Sequence, residues 1–128
     1  MYKIKISAFT ILSSIFLLFF HKYAIEYHLY TQYWFYDIIM HFLGGIALAM
    51  SVYCFTIFFN LSYFKENSAR IILFTFVLGL FWELFEIKYN LLGSPFGTYP
   101  YYIDTIKDLI MDTLGAIFIW RIIRLKNK

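Results

Sequence analysis

The sequence predicts an all-α, polytopic membrane protein: one domain built as a four-helix transmembrane bundle with both termini cytoplasmic. Three observations carry this reading. The chain of 128 residues is 62% hydrophobic and 24% aromatic, with only 15% charged residues, far from the usage of soluble domains. Its apolar residues gather in four stretches separated by charge. Its Lys and Arg alternate sides between those stretches, as the positive-inside rule requires of four spans.

The first stretch, Ile6 to Phe20, has no charge and is short, so it borrows its flanks to make a span over about residues 4–22. The second, Ile38 to Phe64, is uncharged apart from the titratable His41 and gives a span over about 37–60. The third clean run, Ile71 to Trp82, is twelve residues, about 18 Å of helix, whereas crossing hydrocarbon takes roughly 20 residues. A span over about 70–91 therefore carries Glu83 and Glu86 into the membrane. Likewise only twelve residues separate Asp108 from Arg121, so a fourth span over about 104–123 places Asp112 near mid-depth.

Eight of the eleven basic residues fall on one side: Lys3, Lys5, Lys65, Arg70, Arg121, Arg124, Lys126 and Lys128. Lys22, Lys88 and Lys107 are left for the other. Tyr23, Tyr27, Tyr30, Tyr33, Trp34 and Tyr36, with Tyr99, Tyr101 and Tyr102, mark that opposite rim as an interfacial aromatic belt. "FFHKYAIEY" after the first apolar run offers no small-residue cleavage site, so that run is expected to be a retained helix and the protein a multi-pass protein of the cell membrane. The single Cys54 excludes an internal disulfide and a cysteine-based metal site. The net charge of +3 follows from topology, and no nucleic-acid motif or repeat is present.

Six of the eight acids lie in or beside the outer halves of the last three spans: Asp37, Glu83, Glu86, Asp104, Asp108 and Asp112. At 100° per residue, Asp104, Asp108, Asp112 and Gly115 share an arc of about 80°. Gly79, Glu83, Glu86 and Asn90 share about 60°, as do Asp37, His41, Gly44 and Leu48. Three polar stripes with glycine beside them allow three backbones to approach around a polar, outward-opening centre. A charged carboxylate at mid-bilayer costs roughly 2.5 to 3.5 kcal/mol on insertion scales. Lys107, Lys88 and His41 are too few to neutralise six acids, so protons or a bound cation should complete the site.

Structural roles compete with functional ones at several positions. Asp37 and Asp104 stand at expected helix starts, where capping or the helix dipole suffices. Gly44, Gly45, Gly79 and Gly115 read as packing notches. His21 and His28 read as inert interfacial residues. His41, one turn from Asp37 on the acid-facing stripe, has a carboxylate-oriented imidazole of the kind used at metal and proton-transfer sites. Glu83, Glu86, Asp108 and Asp112 default to function as intramembrane ionisable groups.

"YDIIMHFLGG" (Tyr36 to Gly45), "FWELFEI" (Phe81 to Ile87) and "DTIKDLIMDTLGA" (Asp104 to Ala116) resemble the motifs of the YjdF-like family of bacterial inner-membrane proteins, and more distantly those of VanZ-like proteins. The resemblance implies a small polytopic bacterial protein with a shared polar core at Asp37, His41, Glu83, Glu86, Asp104, Asp108 and Asp112. The YjdF-like pattern carries further spans, so this chain is either a minimal version or one that completes its bundle as a homodimer.

Three function classes follow. The first is a metal-dependent enzyme acting on a lipid or lipid-linked head group. Asp37, His41, Glu83, Glu86, Asp108 and Asp112 would supply ligands to Mg, Mn, Fe or Zn, and one of Glu83, Glu86 and Asp112 would act as general base. Asp104 stands at the pocket mouth, and "LLGSPFGTYPYY", with Gly93, Pro95, Gly97 and Pro100, forms a lid. The second is a transport or proton-relay protein, opposed by cytoplasmic halves that offer little beyond Thr75 and Ser51. The third is a structural or interaction protein whose acids cross-link the bundle.

Overall fold

The structure is a computed structural model that describes residues 2–66, 69–89 and 94–126. Among these it is all-helical, with α1 (Tyr2–Glu26), α2 (Leu29–Gln32), α3 (Trp34–Phe59), α4 (Ser62–Glu66), α5 (Arg70–Tyr89) and α6 (Tyr99–Lys126). Asn90 of the polar stripe on the third expected span, Leu91 to Gly93 of the lid segment and Lys128 of the basic side lie outside the described residues.

The helix ends have local causes. His28, at φ 54°, breaks the chain between α1 and α2. Asn60 ends α3 at φ 55°, its N–H bonded to the Thr56 carbonyl, which also accepts from Leu61 N–H; asparagine tolerates this left-handed cap better than other side-chain-bearing residues. Before α6, Pro95 to Thr98 form a turn in which Gly97 takes φ 82° and Thr98 donates through both N–H and Oγ1 to the Pro95 carbonyl. Pro100 then sits in the first turn of α6, where a missing N–H costs nothing. Tyr99 to Tyr102 are therefore helical, where the sequence reading had them in a loop.

α3 is the central helix. It packs along α6 and also against α1 and α5, while α5 and α6 pack on each other. α3 and α6 run in the same direction, Gly45 meeting Asp112 and Ala49 clustering with Ala116 and Ile119. A Cβ on Gly45 would overlap the Asp112 backbone carbonyl, and one on Gly115 would overlap that of Phe42. The α3–α6 crossing is thus backbone against backbone. Beyond it, Ala49, Phe64, Ile71, Ala116, Ile119 and Ile123 form an apolar core at the end remote from the acids.

Large apolar side chains cover the surface while three acids lie inside. Phe9, Leu12, Leu18 and Phe19 on α1 are each more than 60% exposed, whereas Glu83, Asp108 and Asp112 are 4% exposed. That inversion suits hydrocarbon rather than water around the helices. By length and composition, Lys3–Glu26 and Trp34–Phe59 are long and apolar enough to cross a membrane. α5 and α6, at 20 and 28 residues, are of comparable length but interrupt their apolar runs with charge. Several hydroxyls donate inside their own helices: Thr10, Ser51, Thr56, Thr75 and Thr113 each reach the carbonyl four residues back, and Thr10 Oγ1 also lies 3.2 Å from Cys54 Sγ of α3.

The crossing makes neighbouring glycines unequal. Gly45→Ala is expected to cost about 1–3 kcal/mol or more through overpacking. At Gly44 a Cβ would meet only Asp112 Oδ1, at 3.7 Å, so Gly44→Ala is expected to be neutral or stabilising, with about 1 kcal/mol of helix propensity in its favour. Thermal unfolding of both variants in mild detergent checks the contrast.

Candidate functional site

Asp37 lies in the first turn of α3 and His41 one turn further on the same face. Their spacing puts Asp37 Oδ1 3.7 Å from His41 Nε2. α6 brings a second carboxylate to that nitrogen, with Asp108 Oδ2 also at 3.7 Å. One turn along α6, Asp112 Oδ1 stands 3.5 Å from the other ring nitrogen, Nδ1. The imidazole is thus bracketed by three carboxylates from two helices.

The Asp112 carboxylate fits this place because its neighbours lack side chains. A Cβ on Gly79 of α5 would lie 2.9 Å from Asp112 Oδ2, and Gly44 faces its Oδ1. Exposure falls steadily inward: the Asp104 side chain is 41% exposed, Asp37 27%, His41 10% and Asp112 5%. Asp104 is paired with Lys107 Nζ at 2.6 Å. Lys107 is the cation nearest the exposed end of the acid row.

One oxygen each of Asp37 and Asp108 and one nitrogen of His41 lie within 4.8 Å of one another, a grouping able to hold a metal ion. Ligands about 2.0–2.2 Å from a common ion stand at most about 4.4 Å apart, so small side-chain shifts would bring these three donors onto one ion. The structure does not bring every named acid into this group. Glu83 is buried on α5 with its Oε1 unpartnered among the described residues. Glu86 lies further toward the rim, accepting from Trp82 Nε1 at 3.0 Å.

Two features escaped the sequence reading. Thr105 Oγ1 and Asp108 Oδ1 are buried and, like Glu83 Oε1, without a hydrogen-bond partner among the described residues. Thr105 is seven residues from Asp112, hence about 20° away on the helical wheel, so its place on the acid-bearing face of α6 is legible from spacing alone. The second feature is His21, expected to be inert. Its Nδ1 lies 2.6 Å from the Tyr30 hydroxyl, and its ring meets Trp82 edge-on at 6.1 Å, tying α1 and α2 to α5. Burial, and then the field of Asp37, push the Tyr30 hydroxyl above its ordinary pKa, with Tyr36 and Glu86 adding to the effect. Tyr30 therefore stays a neutral phenol beside His21. Periodicity gives no sign of this contact, since α2 is a four-residue helix.

Neither the curated proteins nor the solved structures gave a match to this chain. The resemblance to VanZ-like proteins gains no support, while that to the YjdF-like family is consistent with the family match that was found. That match covers residues 1–128, and with it the inverted polarity and the buried acids find a common setting: the chain belongs to the family described as Predicted membrane protein (DUF2238).

Proposed function

We propose that this protein crosses the cell membrane four times with both termini cytoplasmic, and that α3 and α6 hold a divalent cation which serves chemistry on a lipid or lipid-linked head group. The observation that carries the reading is His41 Nε2 at 3.7 Å from both Asp37 and Asp108. Two oxygen donors and one imidazole suit Mg, Mn, Fe or Zn. Such an ion, when bound, would polarise a phosphoryl or carbonyl oxygen.

The residues then take separate roles. Asp37, His41 and Asp108 are the ligands. Asp112, on the far ring nitrogen, is a positioning residue that fixes the imidazole's tautomer and direction, as carboxylates behind metal-bound histidines do. Glu83, whose buried Oε1 has no partner among the described residues, is the proton acceptor. Glu86 and the Asp104–Lys107 pair stand at the mouth, where the polar part of an amphiphile would enter. A proton or ion conduit is less well supported, because the hydroxyls of Thr75 and Ser51 are bonded within their own helices.

Four spans are supported by the lengths of α5 and α6 and by the burial of Glu83, Asp108 and Asp112, which leaves apolar side chains on their outer faces. The basic residues at the opposite end set the orientation.

Elemental analysis of protein purified in mild detergent, without chelator or added metal, is expected to find about one equivalent of a divalent ion. Asp108→Asn should remain folded and lose it. Asp112→Asn should keep the ion at an affinity lowered about 10- to 100-fold, and Glu86→Gln should leave uptake unchanged. A folded wild-type protein that takes up no divalent ion on titration would remove the proposal.

For topology, single cysteines in a Cys54→Ser background are decisive. Ser94→Cys is expected to react with a membrane-impermeant maleimide on intact cells, and Ser62→Cys only after permeabilisation. The reverse pattern would invert the orientation, and labelling of both from outside would rule out the four-span reading.

A further inference from the structure

The end of α6 opposite the carboxylates carries a second feature. Ile117, Trp120, Arg121, Arg124 and Leu125 line an open cavity of about 390 Å³. Their spacing of three, four, seven and eight residues puts them on one face of the helix. The Arg124 guanidinium lies 5.3 Å from the centroid of the Trp120 ring, a cation–π contact that holds it over the groove. No acid occurs in the sequence after Asp112, nor among the first 25 residues. Among the described residues no carboxylate pairs with Arg121 or Arg124.

We propose that this groove binds an anionic phospholipid, its phosphodiester between Arg121 and Arg124 and its glycerol and upper acyl chain against Trp120, Ile117 and Leu125. Planar guanidinium groups match phosphate oxygens two at a time. Tryptophan is suited to the boundary between head group and hydrocarbon. A free phosphate would account for the arginines but not for the apolar wall, where Leu125 is 71% exposed. The family places the chain in a membrane, so the ligand is at hand in high local concentration. The proposal is independent of the cation centre, which lies at the other end of α3 and α6.

The test leaves Trp120 as the sole tryptophan, in a chain carrying Trp34→Phe and Trp82→Phe, reconstituted in phosphatidylcholine vesicles. Brominated phosphatidylglycerol is expected to quench Trp120 well beyond its bulk fraction, with a preference over brominated phosphatidylcholine of about fivefold per arginine. Arg121→Gln with Arg124→Gln, its helicity verified by circular dichroism, should erase that preference. If that pair does not fold, Arg124→Lys, which keeps the charge and loses the planar stack, should reduce the preference without abolishing it. Equal quenching by the two lipids in the parent chain would overturn the proposal. So would a preference that survives in the folded glutamine pair, or one that millimolar inorganic phosphate removes.

Discussion

The close crossing of α3 and α6, backbone against backbone at Gly45 and Gly115, is the constraint on which the rest of the structure depends. Without side chains there, the helices approach closely enough for His41 of one to stand between Asp108 and Asp112 of the other. Any Cβ at those two glycines would separate the helices just where His41 must reach across. Gly79 of α5 repeats the device from a third direction, leaving room for the Asp112 carboxylate. The polar group is thus a product of missing atoms as much as of charged ones.

The chain also divides its electrostatics by depth. Asp37, Glu83, Glu86, Asp104, Asp108 and Asp112 gather at one end of α3, α5 and α6 with His41, Lys88 and Lys107 among them, while Arg70, Arg121 and Arg124 lie at the other. Between them lies the apolar core around Ile71, Ala116 and Ile119. Among the buried hydroxyls, those of Thr56 and Thr75 donate within their own helices, while Thr10 Oγ1 also stands 3.2 Å from Cys54 Sγ and so links α1 to α3.

Much of this was legible in the sequence, for a reason that particular residues make plain. Counting 100° per residue places Asp37 with His41 and Asp108 with Asp112, and the brevity of the clean run Ile71 to Trp82 forces Glu83 into the interior. What one helix does alone can be read that way. Which ring nitrogen of His41 each aspartate meets depends on the register of the α3–α6 crossing, and the sequence carries no sign of that register. The Trp82–Glu86 bond, at a spacing of four residues, was readable in principle. The link from His21 to Tyr30 was not, because it passes through the left-handed turn at His28. The helical start at Tyr99 was hidden by Pro100, which reads as a loop residue until its place in a first turn is known.

The parallel run of α3 and α6 has a consequence for synthesis. His41 leaves the ribosome well before Asp108, the two being 67 positions apart in the chain. At about 5–20 residues per second that is an interval of roughly 3 to 13 seconds. For that time the α3 half of the polar group waits without its partner. Asp37 and His41, one turn apart and 3.7 Å from each other, can meanwhile face each other within a single helix, so the pair doubles as a holding arrangement until α6 arrives.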